Sequence, residues 1–277
     1  MGINSLHRIL STTLMLPLLM FMGFACGDGK SSQDDSTKDK PQGQNQTVVK
    51  YPGYKIINEY PHDSTLFTQG LFIRKGMMYE SGGMRGQSRL VRYIPGQPIA
   101  QTHQMPDYIF SEGICEVGDK IYMITYTAGK CFVFNKKTFE LEKEFNYMGE
   151  GWGIEYHDGK IYMTDGSSVI KIIDPETFVI EKTINVSMNG NKVEYLNELE
   201  FADGFLYANL WRRADIVKID VTTGNIVAAY NLAELYDRVS YNPAIDVLNG
   251  IAYDESEKVF FLTGKLWPKL FKVKLGD

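Results

Sequence analysis

The hydrophobic positions of this chain fall into short runs that recur in a fixed order. Gly70-Leu71-Phe72, Gly113-Ile114-Cys115, Gly153-Ile154-Glu155, Glu198-Leu199-Glu200 and Gly250-Ile251-Ala252 each open an apolar strand. Behind each comes a turn and a second strand: Met77-Met78-Tyr79, Lys120-Ile121-Tyr122-Met123, Lys160-Ile161-Tyr162-Met163, Phe205-Leu206-Tyr207 and Val259-Phe260-Phe261-Leu262. A period of roughly 40 to 50 residues with several short strands per unit is the pattern of propeller blades. It predicts an all-β, five-bladed β-propeller; a β-sandwich or irregular barrel is the rival architecture.

Blade two is the plainest unit, with expected strands at 112–116, 120–126, 131–135 and 141–145. Blade three repeats it at 153–156, 160–164, 169–173 and 179–186, and Gly and Asp mark the turns for their backbone freedom and local hydrogen bonding. Blade five offers strands at 250–253, 258–262 and 270–274, and then the sequence stops short of a fourth. The alternating segment 54–60 precedes blade one and has no other place. It is expected to complete blade five and lock the ring, which removes an exposed edge.

Ahead of this domain lie two segments of different composition. His7 and Arg8 precede an apolar run, Leu14 to Phe24, followed by Ala25-Cys26. The run is short for a bilayer span and reads as an export signal over 1–25. Cys after a small residue at its end resembles a bacterial lipoprotein cleavage site, with Cys26 as the acylated first residue; an ordinary secretory signal cut near Ala25 is the alternative. Residues 26–47 are nearly devoid of apolar side chains and are expected to be a disordered tether before the domain at 48–277. The expected location is therefore periplasmic or cell-surface, held by a lipid anchor. The net charge of −5 and the lack of a Lys/Arg stripe argue against nucleic acid as a partner. Cys115 and Cys131 fall on non-adjacent strands of one blade, about 9 to 10 Å apart, so they are expected as buried free thiols.

In a four-stranded blade, the loop entering the first strand and the loop between the second and third lie at the same end. Together these loops hold Phe67, Gln69, Phe110, Glu112, Tyr126, Trp152, Asn197, Asn249, Trp211 and Lys265. An aromatic wall with a few convergent polar groups is the usual form of a small-molecule or peptide-end site. Each aromatic also has a plain reading as blade packing, and Glu112 or Glu198 as a carboxylate accepting backbone N–H bonds. Glu112 stands out between Ser111 and Gly113 at the start of an inner strand, where Gly113 is expected to let a substrate approach closely.

The mouth segments Phe67-Thr68-Gln69-Gly70, Phe110-Ser111-Glu112-Gly113, Gly149-Glu150-Gly151-Trp152-Gly153, Leu196-Asn197-Glu198-Leu199-Glu200, Asn209-Leu210-Trp211, Leu248-Asn249-Gly250-Ile251-Ala252 and Thr263-Gly264-Lys265-Leu266-Trp267-Pro268 resemble those of plant- and bacterial-type glutaminyl-peptide cyclotransferases. The resemblance runs in collinear order from about Phe67 to Lys274. It implies a five-bladed propeller that converts the N-terminal Gln of peptides and proteins to pyroglutamate with release of ammonia. It implies Glu112 as acid/base, Gln69, Asn197 and Lys265 as the polar residues that bind and orient the substrate, and Phe67, Phe110, Trp152 and Trp211 as walls; the tetrahedral oxyanion needs a donor, for which Lys265 is the first choice and the Gln69 or Asn197 amide the alternatives. Tyr126 stands where the family more often has Trp. The chemistry requires no cofactor, although family members can hold a structural divalent cation, calcium or zinc, in the channel. The protein is expected to be a monomer whose partners are Gln-bearing N-termini. A non-catalytic propeller binding a peptide or small ligand at the same mouth is the alternative; a quinone- or metal-dependent oxidoreductase is weaker, since His7, His62, His103 and His157 form no cluster in sequence. Arg212 and Arg213, beside Trp211, either select the residue after the glutamine or are simply solvated.

Overall fold

The computed structural model describes residues 48–277. The expected export signal, Cys26 and the tether lie outside them. Among the described residues, no helix is long and apolar enough to cross a membrane.

The chain forms five sheets arranged as a five-bladed β-propeller. Strand β1 (Tyr54–Pro61) comes first and is followed by blade one: β2 (Thr68–Arg74), β3 (Met77–Gly82), β4 (Arg89–Tyr93) and β5 (Gln101–Gln104). Blade two is β6 (Ser111–Val117), β7 (Lys120–Thr125), β8 (Lys130–Asn135) and β9 (Leu141–Asn146). Blade three is β10 (Ile154–His157), β11 (Lys160–Met163), β12 (Val169–Ile173) and β13 (Ile180–Asn185). A short hairpin, β14 (Ser187–Met188) and β15 (Asn191–Lys192), precedes the main strands of blade four, β16 (Leu196–Ala202), β17 (Phe205–Leu210), β18 (Asp215–Asp220) and β19 (Asn225–Asn231). Helix α1 (Ala233–Asp237) leads into blade five, made of β20 (Leu248–Asp254), β21 (Val259–Gly264) and β22 (Lys269–Leu275).

Burial follows position in the blade. The inner strands β2, β6, β16 and β20 are buried along nearly their whole length, polar residues at their starts included, whereas the outer β9 and β13 carry Glu and Lys into solvent. The inner hairpins of blades one, three and four turn on consecutive left-handed residues: Lys75-Gly76, Asp158-Gly159 and Asp203-Gly204. That geometry matches the twist of the flanking strands and favours Gly at the second place. Cys115 on β6 and Cys131 on β8 are separated by β7, and both are buried free thiols.

The ring closes as the sequence implies. β1 pairs antiparallel with β22, from Tyr54 opposite Leu275 to Pro61 opposite Lys269, and becomes the outer strand of blade five. Just before it, Lys50 lies against β19 of blade four through two backbone bonds, its N–H to Val227 O and its O from Ala229 N–H, both 2.9 Å. The N-terminal segment therefore clamps two neighbouring blades. Blade four departs from expectation: the β14–β15 hairpin adds to its outer edge, where Ser187 pairs in parallel with Asn225.

The reason for the inner-strand glycines also differs from expectation. A Cβ on Gly113 would meet Ile154 N at 2.5 Å and Gly153 Cα at 2.8 Å. Gly70 packs in the same way on Ile114 N and the Gly113 backbone, and Gly153 on Asn197 O and Glu198 Cα. These glycines allow backbone to lie on backbone between successive blades; Gly113 serves blade packing, and its Cβ position faces protein rather than a ligand. Gly113→Ala is accordingly expected to lower stability by about 1–3 kcal/mol, the usual cost of overpacking, as a fall in the urea midpoint with an unchanged slope.

Candidate active site

Each blade joint brings the start of an inner strand to one end of the propeller, and a polar tie fixes it there. Ser81 Oγ donates to Glu112 O at 2.6 Å, Gly113 N to Trp152 O at 2.8 Å and Thr164 Oγ1 to Asn197 O at 2.8 Å. Gly250 N donates to Asn209 Oδ1 at 3.0 Å, and Asn249 Nδ2 to Thr68 O at 3.1 Å. Residues from all five blades thereby converge.

They enclose a cavity of about 220 Å³ lined by Phe67, Gln69, Phe110, Glu112, Tyr126, Trp152, Asn197, Trp211, Asp246 and Lys265. The structure thus brings together all nine residues that the sequence singled out for catalysis and substrate binding. Asp246 is the addition. The polar groups form the floor, with Gln69, Glu112, Asn197 and Lys265 each at most 5% exposed. The aromatics are half-buried and form the rim. Phe67 meets Phe110 edge-on at 6.2 Å between centroids, Phe110 meets Tyr126 at 5.7 Å, and Trp152 meets Trp211 edge-on at 5.5 Å.

Two buried glutamates at this end are used in opposite ways. Glu198 accepts backbone N–H bonds from Leu71 at 3.2 Å and Ile251 at 2.7 Å, so it links blade four to blades one and five. The capping reading therefore holds for Glu198. Glu112 instead accepts a side-chain bond, from Gln69 Nε2 at 3.1 Å. The Gln69 amide is itself oriented by Asn249 Nδ2, which donates to Gln69 Oε1 at 3.3 Å. Burial drives the Glu112 carboxyl well above the ordinary carboxylate range, with Lys265 pulling it down and Glu150 pushing it up. Burial lowers the pKa of Lys265, against the opposing pull of Glu112 and Asp246. Lys265 Nζ lies 4.9 Å from the Phe67 ring centre, and among the described ion pairs it makes none with Glu112. A carboxyl of raised pKa and an amine of lowered pKa thus share a walled cavity without neutralising each other. This is a pairing suited to proton transfer and to stabilising a nascent oxyanion.

Two features behind the site had no local signal in the sequence. The stretch containing α1 ends in Asp246 and Val247, which hold Lys265 by paired backbone bonds of 2.9 Å, while Trp267 Nε1 donates to Asp246 O at 2.9 Å. Trp267 is fully buried and serves packing, not the cavity wall. The second feature is a buried network under the blade-five-to-one joint. His62 Nδ1 is 2.8 Å from Trp267 O and Nε2 is 2.9 Å from Glu80 Oε2. Both ring nitrogens face acceptors, an arrangement an imidazolium satisfies. Glu80 also accepts from Thr68 Oγ1 at 2.6 Å and Tyr93 OH at 2.7 Å. Thr68 precedes Gln69 and Trp267 follows Lys265 by two residues, so the network joins the two loops that carry them.

Among the described residues, no group of three or more His, Cys, Asp or Glu is arranged to hold a metal. Glu198 has both carboxyl oxygens committed to backbone amides.

Comparison with known proteins gives concordant findings. A family profile described as glutamine cyclotransferase matches residues 30–275. The chain is 33% identical to the glutaminyl-peptide cyclotransferase of Arabidopsis thaliana over 227 residues, 80% of this chain and 71% of that protein. It superposes on the crystal structure of Myxococcus xanthus glutaminyl cyclase with a TM-score of 0.77 and 34% identity, covering 83% of this chain and all of that one.

The His62–Glu80 pair carries a pH signature. Burial lowers the His62 pKa, but the charge and hydrogen bond of Glu80 outweigh it, so the net shift is upward. The stability it contributes is complete below the ordinary His pKa of about 6.5 and is lost as pH rises through the higher folded value. Thermal melts from mildly acidic to mildly alkaline pH are expected to show this decline, with the slope reduced in His62→Gln. Glu80→Gln, which strips a buried imidazolium of its partner, is expected to cost about 3–5 kcal/mol at pH 6.

Proposed function

The chain belongs to the glutamine cyclotransferase family, and from that premise we propose that it converts the N-terminal glutamine of peptides and proteins to pyroglutamate, with Glu112 as acid/base and release of ammonia. The observation that carries this reading is the buried Glu112 carboxyl, its pKa raised, bonded to Gln69 in the five-blade cavity.

The reaction is internal. The α-amine nitrogen attacks the γ-carboxamide carbon, a C–N bond forms, and the bond to the side-chain nitrogen breaks. The cavity is small enough to hold the glutamine side chain folded back onto its own amine, a near-attack arrangement that can supply several kcal/mol. The amine must be neutral, and its ordinary pKa is about 7.7 to 8.0. A carboxylate in water is too weak a base for that step, whereas burial brings Glu112 closer to the amine in pKa.

Glu112 takes one proton from the attacking nitrogen and delivers one to the departing nitrogen, which leaves as ammonia, so the protons balance without a co-reactant. Lys265 Nζ donates to the tetrahedral oxyanion. Gln69 and Asn197 hold the substrate amide and amine; Asn197 Oδ1 is buried and bonded to no other described residue, so it is free to accept from an ammonium or amine. Phe67, Phe110, Tyr126, Trp152 and Trp211 exclude water from the ring-forming atoms. The apolar N-terminal run and Cys26 support export and acylation, and with them a setting outside the cytoplasm, on N-termini exposed there.

The test is mass spectrometry of a Gln-initiated peptide incubated with the purified domain. Wild type is expected to remove one ammonia faster than the spontaneous rate. Glu112→Gln is expected to lose about 10²–10⁴-fold in kcat while its circular dichroism remains that of the folded propeller; full activity in this variant would move the chemistry elsewhere. Lys265→Ala is expected to lose about 10²–10³-fold, the range for a single oxyanion donor.

A further inference from the structure

The cavity that encloses the reacting residue has a neighbour. A groove of about 670 Å³ is lined by the β14–β15 hairpin and the following chain on one side and by Trp211, Arg212 and Arg213 on the other. Trp211 is the wall common to both spaces. The groove exists because blade four carries the inserted hairpin and because Tyr195 is pinned, its N–H to Gly166 O at 2.7 Å and its O from Trp211 N–H at 2.9 Å. The Tyr195 ring continues the aromatic line, 6.0 Å from Trp211.

The charge of this groove runs against that of the chain as a whole, which is −5. It holds Lys192, Arg212 and Arg213 against the single carboxylate of Glu194, an excess of 3 − 1 = 2 positive charges. Arg213 has Asp215 at 4.0 Å, while among the described ion pairs Lys192 and Arg212 have no partner. Arg212 sits at φ 61°, a left-handed conformation that a large side chain seldom adopts. That conformation lays its guanidinium 4.3 Å from the Trp211 ring centre, on the rim common to both spaces. On the cavity side stand the carboxyl groups of Glu112 and Asp246 with the Lys265 amine among them, and Glu150 accepts from Trp152 Nε1 at 3.0 Å. The cavity carboxyls suit an incoming amino terminus, and the basic groove suits anionic groups one or two residues further along, since an extended chain advances about 3.3–3.6 Å per residue.

We propose that this groove is the subsite for the residues immediately after the N-terminal glutamine, and that Lys192 and Arg212 make it select acidic side chains there. The proposal rests on the cyclase reading above and deepens it from any glutamine N-terminus to glutamine followed by Asp or Glu.

Ammonia release is measured for three C-terminally amidated peptides, Gln-Glu-Asp-Ala, Gln-Ala-Ala-Ala and Gln-Lys-Lys-Ala, with wild type, Lys192→Glu, and the double variant Lys192→Glu/Arg212→Glu. At low salt, wild type is expected to order them acidic, neutral, basic in kcat/KM, with about fivefold between the extremes, as exposed charge pairs allow. High salt is expected to compress the order. The double variant is expected to invert it; Glu at position 212 keeps a side chain in the same backbone conformation, and Lys192→Glu alone, at an exposed position, reports a partial inversion if the double variant does not fold. Wild type that cyclises all three equally, or charge-reversed protein that keeps the wild-type order, overturns the subsite and leaves the cyclase reading standing. Failure to cyclise any of the three above the spontaneous rate overturns the cyclase reading and the subsite with it.

Discussion

The contact on which this structure depends is backbone against backbone around the propeller axis. Gly70, Gly113 and Gly153 bring successive inner strands so close that a single Cβ would collide with the next blade's main chain. Interiors pack at crystal-like density and do not absorb such an intrusion without shifting. Close approach of the inner strands draws the first residues of five separate blades to one small mouth. It also steadies the mouth, because its wall residues sit on loops immediately beside the ends of buried strands.

Rigidity here is reinforced by polar groups that would be expensive if unmatched. The joints are tied by Ser81, Thr164, Asn209 and Asn249, and Glu198 bonds amides on two other blades. A buried carboxylate that accepts backbone N–H groups is satisfied and structural. Glu112 belongs to the same ring of inner-strand residues but receives one side-chain amide in place of two backbone donors. That difference in partners, more than burial itself, separates the carboxyl that holds the ring together from the one available for chemistry.

The closure of the ring and the function of the mouth meet at blades five and one. β1 joins blade five from the far end of the sequence, and His62, just beyond it, carries the Glu80 network beneath the loops of Gln69 and Lys265. The strand that stabilises the propeller against opening thus also sets the spacing of two cavity residues. The α1 segment performs the matching task from the other side through Asp246 and Val247.

Much of this was legible in the residues alone. Repeated apolar runs followed by Gly- and Asp-bearing turns determine blades because strand burial and turn geometry are local properties, encoded within a few residues. The blade order then dictates which loops share an end, and among the residues of those loops the resemblance to glutaminyl-peptide cyclotransferases singled out Phe67, Gln69, Phe110, Glu112, Tyr126, Trp152, Asn197, Trp211 and Lys265. The missing fourth strand of blade five was equally readable, since a lone alternating segment had one vacant edge to fill. Tertiary structure alone decided the rest. Asp246 reaches the cavity through an irregular stretch with no strand period. His62 and Glu80 meet across a joint between distant segments, and Glu112 and Glu198 look alike in sequence but differ in their partners. Gly113 reads as room for a ligand until Gly153 is seen against it. Each of these depends on distances between residues far apart in the chain, and pairing across such separations leaves no periodic trace in the sequence.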